Sequence, residues 1–124
     1  MKLLLSNIIL TFDGRPYTGD LLMGLYHSTK HACLIFRDPD GEPTAHLSVN
    51  ALTGERPALI AIKDWSENEG VAAQLEALRD KDGNPLFLRS IGAIPCGYVK
   101  APVFALTGRA LDAFEELLKE SCRG

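Results

Sequence analysis

Residues 58–78 read ALIAIKDWSENEGVAAQLEAL, and the change of rhythm inside this stretch decides the fold class. Ala58 to Lys63 is nearly all apolar and too short for a helix, which reads as a strand in the middle of a sheet. Beyond Gly70, the residues Val71, Leu75 and Leu78 recur at i, i+4 and i+7, the apolar stripe of a helix. The heptapeptide DWSENEG (64–70) between them reads as a helix start. Ser66 followed by Glu69 has the spacing of a capping box, in which the serine oxygen accepts from the N–H three residues on and the glutamate reaches back to the serine N–H. Glu67 and Glu69 would also suit the positive end of the helix dipole, and Trp65 stands where it could staple onto the first turn. The segment RDKDGNP (79–85) brings charge, Gly83 and Pro85 to end the helix, so the expectation is a helix over about 66–80.

Working outward, the half before this stretch is rich in strand signals. Leu3 to Phe12 is followed by the turn DGRP (13–16), and Leu21 to Tyr26 and Ala32 to Arg37 are two more apolar runs. DPDGEP (38–43) carries the proline and Asp-Gly of a hairpin turn. After it, Ala45, Leu47, Val49 and Ala51 alternate with Thr44, His46, Ser48 and Asn50, which predicts a strand with one dry face and one wet face before the loop TGERP (53–57). Downstream, Leu86 to Ile94 and Tyr98 to Leu106 read as strands divided by Pro95 to Gly97, and Pro102 demotes the second to an edge or a bulge. Thr107 is placed to cap a last helix over about 108–121, with Ala110, Leu111, Phe114, Leu117 and Leu118 at helical spacing. The sum is one α+β domain over 1–124: a mainly antiparallel sheet of five to seven strands with two helices.

Charge narrows the function classes. The 16 acids against 13 bases leave a net charge of -3, too balanced for a general nucleic-acid binder and too weak for a whole-protein mimic of DNA. The acids do gather between residues 64 and 82, where Asp64, Glu67, Glu69, Glu76, Asp80 and Asp82 face only Arg79 and Lys81. Cys33, Cys96 and Cys122 are odd in number and far apart, which argues against a disulfide framework and for a reducing compartment, with Cys33 and Cys96 as small core residues. The apolar start of the chain is broken by Ser6 and Asn7 and shows no small-residue cleavage site. With no run long enough to span a membrane, the expectation is a soluble cytoplasmic protein without a membrane partner.

The segments GEPTAHLSVN (41–50), KDWSENEG (63–70) and GYVKAPVF (97–104) occur in an order that resembles a family of small uncharacterised proteins carried by phages, plasmids and other mobile elements. The resemblance covers residues 41 to 104, about half of the chain, and its signature is (W/Y)-S-E-N-E-G. It implies a context, a prokaryotic accessory gene, and no chemistry.

Four constellations could carry function. His27, His31 and Cys33 hold metal-ligand chemistry but lack an evident fourth ligand, and an exposed loop with a buried Cys33 is the simpler reading. His46, Ser48 and Asn50 share the wet face of one strand, where a base and a nucleophile could meet, though no carboxylate is placed to orient the imidazole. Asp64, Glu67 and Glu69 offer hard oxygens to a cation, but helix capping already accounts for the glutamates. No catalytic residue, metal or cofactor is therefore assigned. The fourth is a partner-binding rim at the helix start, formed by Asn50, Asp64, Trp65, Glu67, Asn68 and Tyr98, with the two aromatics as anchors. The expected function is a non-enzymatic accessory protein that binds a protein or protein–nucleic-acid complex of the host, such as a CRISPR effector, with no direct contact to nucleic acid. Two alternatives stand beside it: a small ligand-binding domain or enzyme built around His46, Ser48 and Asn50, and an oligomeric module, for instance a homodimer paired through the Pro102 strand and the last helix.

Overall fold

The computed structural model describes residues 1–38, 40, 43–50 and 58–123; the DPDGEP and TGERP turns lie largely outside the described residues. The chain is α+β. The strands are β1 (Lys2–Phe12), β2 (Arg15–Leu25), β3 (Ala32–Arg37), β4 (Pro43–His46), β5 (Leu59–Ala61), β6 (Phe87–Cys96) and β7 (Val99–Leu106), and the helices are α1 (Val71–Ala77) and α2 (Gly108–Arg123). One sheet has the order β1-β2-β3-β4, the other β5-β7-β6, and the pairings are antiparallel. No helix among the described residues is long and apolar enough to cross a membrane.

The two sheets are joined at Leu47. Its N–H donates to the Leu34 carbonyl of β3 at 2.9 Å, while its own carbonyl accepts from the Lys63 N–H at 2.8 Å. Val49 N–H then reaches the Ala61 carbonyl at 3.0 Å, and Ser48 faces Ile62 in an antiparallel bridge. The two sheets thus meet at one short bridge, between residues 47–49 and 61–63. This junction costs β3 one rung. In a regular ladder the Leu47 carbonyl would serve the Leu34 N–H, and here it serves Lys63 instead. Ser48 Oγ fills the gap, accepting from Leu34 N–H at 2.9 Å and lying 2.8 Å from the Tyr26 hydroxyl. Ser48 is therefore buried, where alternation placed it on the wet face, because the strand changes partners one residue before it.

A single core fills the molecule. Phe36, Phe87, Phe104 and Phe114 are fully buried and come from β3, β6, β7 and α2, and they belong to one continuous apolar cluster. Helix α2 packs on β1 and β2, and Lys2 binds Glu120 (2.8 Å) and Glu116 (3.7 Å) across that contact. Helix α1 touches both β1 and β6, the outermost strands. Gln74 bonds to the Thr11 main chain of β1, and two residues on, Glu76 pairs with Arg89 of β6 at 2.9 Å. One short helix thereby ties an edge strand of one sheet to an edge strand of the other.

Several expectations are corrected. The helix expected over 66–80 is a 3-10 turn at Ser66–Asn68 followed by α1, and Leu78 is already extended. Thr107 starts α2 through its carbonyl, which accepts from Ala110 and Leu111, while its hydroxyl donates to the Pro85 carbonyl at 2.8 Å. Pro102 lies in β7, the central strand of its sheet. It is tolerated because it faces Ile62 at the last rung of the β5–β7 ladder: its carbonyl accepts from Ile62 N–H at 2.9 Å, and it has no N–H to return. Cys33 and Cys96 are half-buried free thiols and not core residues.

Replacing Ser48 by alanine leaves the Leu34 N–H buried without a partner, so urea unfolding of Ser48→Ala should show a loss of about 1–3 kcal/mol. Tyr26→Phe, which leaves the Ser48–Leu34 bond standing, should lose less, about 0.5–1.5 kcal/mol.

Candidate functional site

The DWSENEG segment folds around Asp64. Its Oδ1 accepts from Gly70 N–H at 2.8 Å and from Ala72 N–H at 3.2 Å. The first turn of α1 is thus capped by a carboxylate six residues upstream of the glycine, and the charge-assisted bonds suit the positive end of the helix. The capping box between Ser66 and Glu69 does not form: neither the 3-10 turn nor α1 has a side-chain cap at its own flanking residue. The reason lies in the backbone. Ser66 has φ 55 and opens the 3-10 turn, and Gly70 has φ 91, a left-handed conformation that favours glycine. The chain therefore turns twice before the α-helix begins at Val71, and Ser66 never stands next to the orphan N–H groups of that helix. Glu67 binds Lys63 at 2.6 Å, and that hydrogen bond, with the lysine charge, holds its carboxyl below the usual range.

Of the six residues expected to form one rim, Asp64, Trp65, Glu67 and Asn68 lie together just before α1, while Asn50 bonds to Thr29 and Ser28 and Tyr98 sits between β6 and β7. Asn68 is buried, with Nδ2 donating to the His46 carbonyl at 2.8 Å and Oδ1 without a partner, so it supports the fold from inside. Trp65 beside it is half-buried. Asn50 is exposed and turns the other way: its Oδ1 accepts from Thr29 Oγ1 at 2.8 Å and its Nδ2 donates to Ser28 Oγ at 3.2 Å. Tyr98 sits at the turn between β6 and β7 and makes no hydrogen bond or ring contact with the other five.

The acidic stretch is largely committed to structure. Asp64 caps α1, Glu67 pairs with Lys63, Glu76 pairs with Arg89, and Asp80 Oδ1 accepts from the N–H groups of Asp82 and Asn84, both at 2.9 Å. Glu69 and Asp82 are the two of the six whose carboxylates take no such part. The other constellations also come apart. His46 is exposed, but Ser48 is buried with its Oγ occupied by Leu34 N–H and Tyr26, so the strand presents no histidine–serine pair. Among the described residues no three His, Cys, Asp or Glu side chains gather as metal ligands. His31 is buried rather than exposed, with Nδ1 unpartnered. Cys33 borders a cavity of about 460 Å³ with Tyr26, His27 and Lys30, and burial pushes its thiol pKa up, away from the reactive thiolate.

What sequence reasoning did not find is an arm. Beyond Pro102 the strand β7 loses its β5 neighbour, so Val99 to Ala101 pair only with Ile94 to Cys96. Residues 97–100 at its tip are exposed, Val99 at 37% and Tyr98 at 108%, the largest exposure of any bulky apolar side chain described. The available signal was Pro102 itself, which marks where the second neighbour must stop. No family model, no curated protein and no solved structure matches this chain.

The capping assignment is testable by comparison of three variants. Asp64→Ala should lower stability by about 1 kcal/mol. Ser66→Ala and Glu69→Ala should each stay within about 0.5 kcal/mol of the parent in the same denaturant titration.

Proposed function

We propose that the chain is a non-enzymatic accessory protein of a mobile element that binds a macromolecular partner of the bacterial host through the β6–β7 arm. The observation that carries this reading is the tip of that arm: a tyrosine with its whole side chain in water, next to an exposed valine, on a two-stranded projection. An aromatic ring with few rotamers is a favoured anchor in protein interfaces, and one left fully hydrated in the free chain has its full burial still to gain. The arm lies in GYVKAPVF (97–104), one of the segments that resembles mobile-element proteins, and that resemblance supplies the context. A defence complex such as a CRISPR effector is the kind of host target that context favours.

The mode of action that fits is steric blockade. A nucleic-acid mimic needs free carboxylates in an array, and four of the six acids between 64 and 82 are occupied with caps, turns and ion pairs. The span from Gly83 to Leu111 holds no acid at all, with Arg89, Lys100 and Arg109 as its charged residues.

The test is a pair of affinity captures from bacterial cells, with wild type and Tyr98→Ala as baits. Tyr98→Ala should melt at the wild-type temperature, because its ring is hydrated in the folded chain, and should bind the captured macromolecule roughly thirtyfold more weakly, a loss of about 2 kcal/mol. Equal binding by both baits removes the arm from the account. Capture of no macromolecule, together with stabilisation of the fold by a small molecule, removes the binding function itself.

A further inference from the structure

The β6–β7 arm joins the body at two weak places that lie opposite each other. On β6 the ladder breaks after Arg89 and resumes at Ala93, and the matching partners on β7 are Phe104 and Pro102. Four steps along β6 thus answer two along β7, so β6 carries two surplus residues in a bulge. Gly92 closes the bulge at φ 130, a conformation that residues with side chains rarely adopt. Nothing lies within 4 Å of where its Cβ would stand, so no packing props the bulge on that side.

On β7 the weak place is Pro102. Its carbonyl accepts from the Ile62 N–H at 2.9 Å. A residue of an antiparallel hydrogen-bonded pair returns a second bond through its own N–H, and a proline has none. Beyond Pro102 the strand has β6 as its one neighbour. The last tie of β7 to the body is therefore a single hydrogen bond, and Ala93, where the β6 ladder resumes, is paired with the same proline.

Both sides of this line are firm. On the body side, the Arg89 guanidinium lies over the Phe104 ring, 5.3 Å from its centroid, and pairs with Glu76 at 2.9 Å. Val103 to Ala105 are held by β5. On the arm side, residues 93–96 pair with 99–102 in unbroken register. Within residues 93–101 the one buried side chain is Ala101, next to the proline, and the others are half-buried or exposed. Two firm pieces with a bulge and a proline between them make a hinge.

We infer that the arm is a hinged element, in which residues 93–101 move as one piece about Gly92 and Pro102. What the motion serves rests on the arm being the binding element: a swinging tip lets Tyr98 meet a partner over a range of approaches, and docking selects one orientation. The motion itself belongs to the free chain and is measured without a partner. Equal binding by wild type and Tyr98→Ala would remove the use of the hinge and leave the hinge standing.

The experiment measures N–H and Cα–Hα residual dipolar couplings of the full chain, weakly aligned. Couplings from β1, β2, β3 and the body part of β7 should fit one alignment tensor. Those from residues 93–101 should fit the hairpin geometry among themselves, with a tensor of smaller magnitude. Deletion of Ser90 and Ile91 removes the surplus residues and keeps the alternation of β6, so the arm couplings should then join the body tensor. Should that variant not fold, Pro102→Val, which returns an N–H toward Ile62, is measured instead and should bring the arm tensor closer to that of the body. Wild-type couplings that fit a single tensor throughout overturn the inference. So does a reduced arm tensor that the folded deletion variant, or Pro102→Val in its place, leaves unchanged.

Discussion

The structure depends on the divided main chain of Leu47. Its N–H belongs to one sheet and its carbonyl to the other. A residue in a regular strand points both groups to the same neighbour, so this division ends the β3–β4 ladder and begins the connection to β5 in one step. The orphaned Leu34 N–H is then taken by Ser48 Oγ, with Tyr26 at its back. Because buried N–H groups rarely remain unpaired, a serine at this position is a requirement of the junction and not a decoration of it. Everything that follows in the chain, including the position of β7 and of its arm, is placed relative to this joint.

The elements that were legible in the sequence are those whose local pattern and tertiary role agree. Ala32 to Arg37 is an apolar run and is a strand with these bounds; the stripe from Ala110 to Leu118 is one face of α2. The misreadings arose where tertiary hydrogen bonds override a local motif. Ser66 and Glu69 have capping-box spacing, but a serine and a glycine with positive φ displace the helix start, and Asp64 takes over the cap. Alternation put Ser48 in water, but it could not register that Leu47 changes partners. Pro102 can supply no N–H to a ladder, which reads as an edge strand or a bulge, and it lies in a central strand instead. What it could not say was whether the rung was missing from the edge of a sheet or from the end of a central strand's second ladder. The candidate rim asked more of the sequence, because Asn50 and Tyr98 are placed relative to residues 64–68 by the order of strands, which one sequence does not display.

Asn68 and most of the acids were candidates because they are polar and clustered, and each has a structural partner that explains it. Tyr98 is the candidate that the fold does not use. A side chain that the free chain has no need of, on an arm that exists only because β5 stops short, is a better indicator of binding than a charge pattern whose members are occupied.

One joint at Leu47 makes the two sheets a single cooperative body. Native-state hydrogen exchange at the amides of Leu34, Val49 and Lys63, followed through a rising series of denaturant concentrations, tests it most directly. The account predicts that these amides open together with the cores of β2 and β7, at one free energy and with the denaturant slope of global unfolding. Exchange in which the β5-β7-β6 sheet opens at a lower free energy and with a slope of its own, while β1 to β4 stay protected, would contradict it.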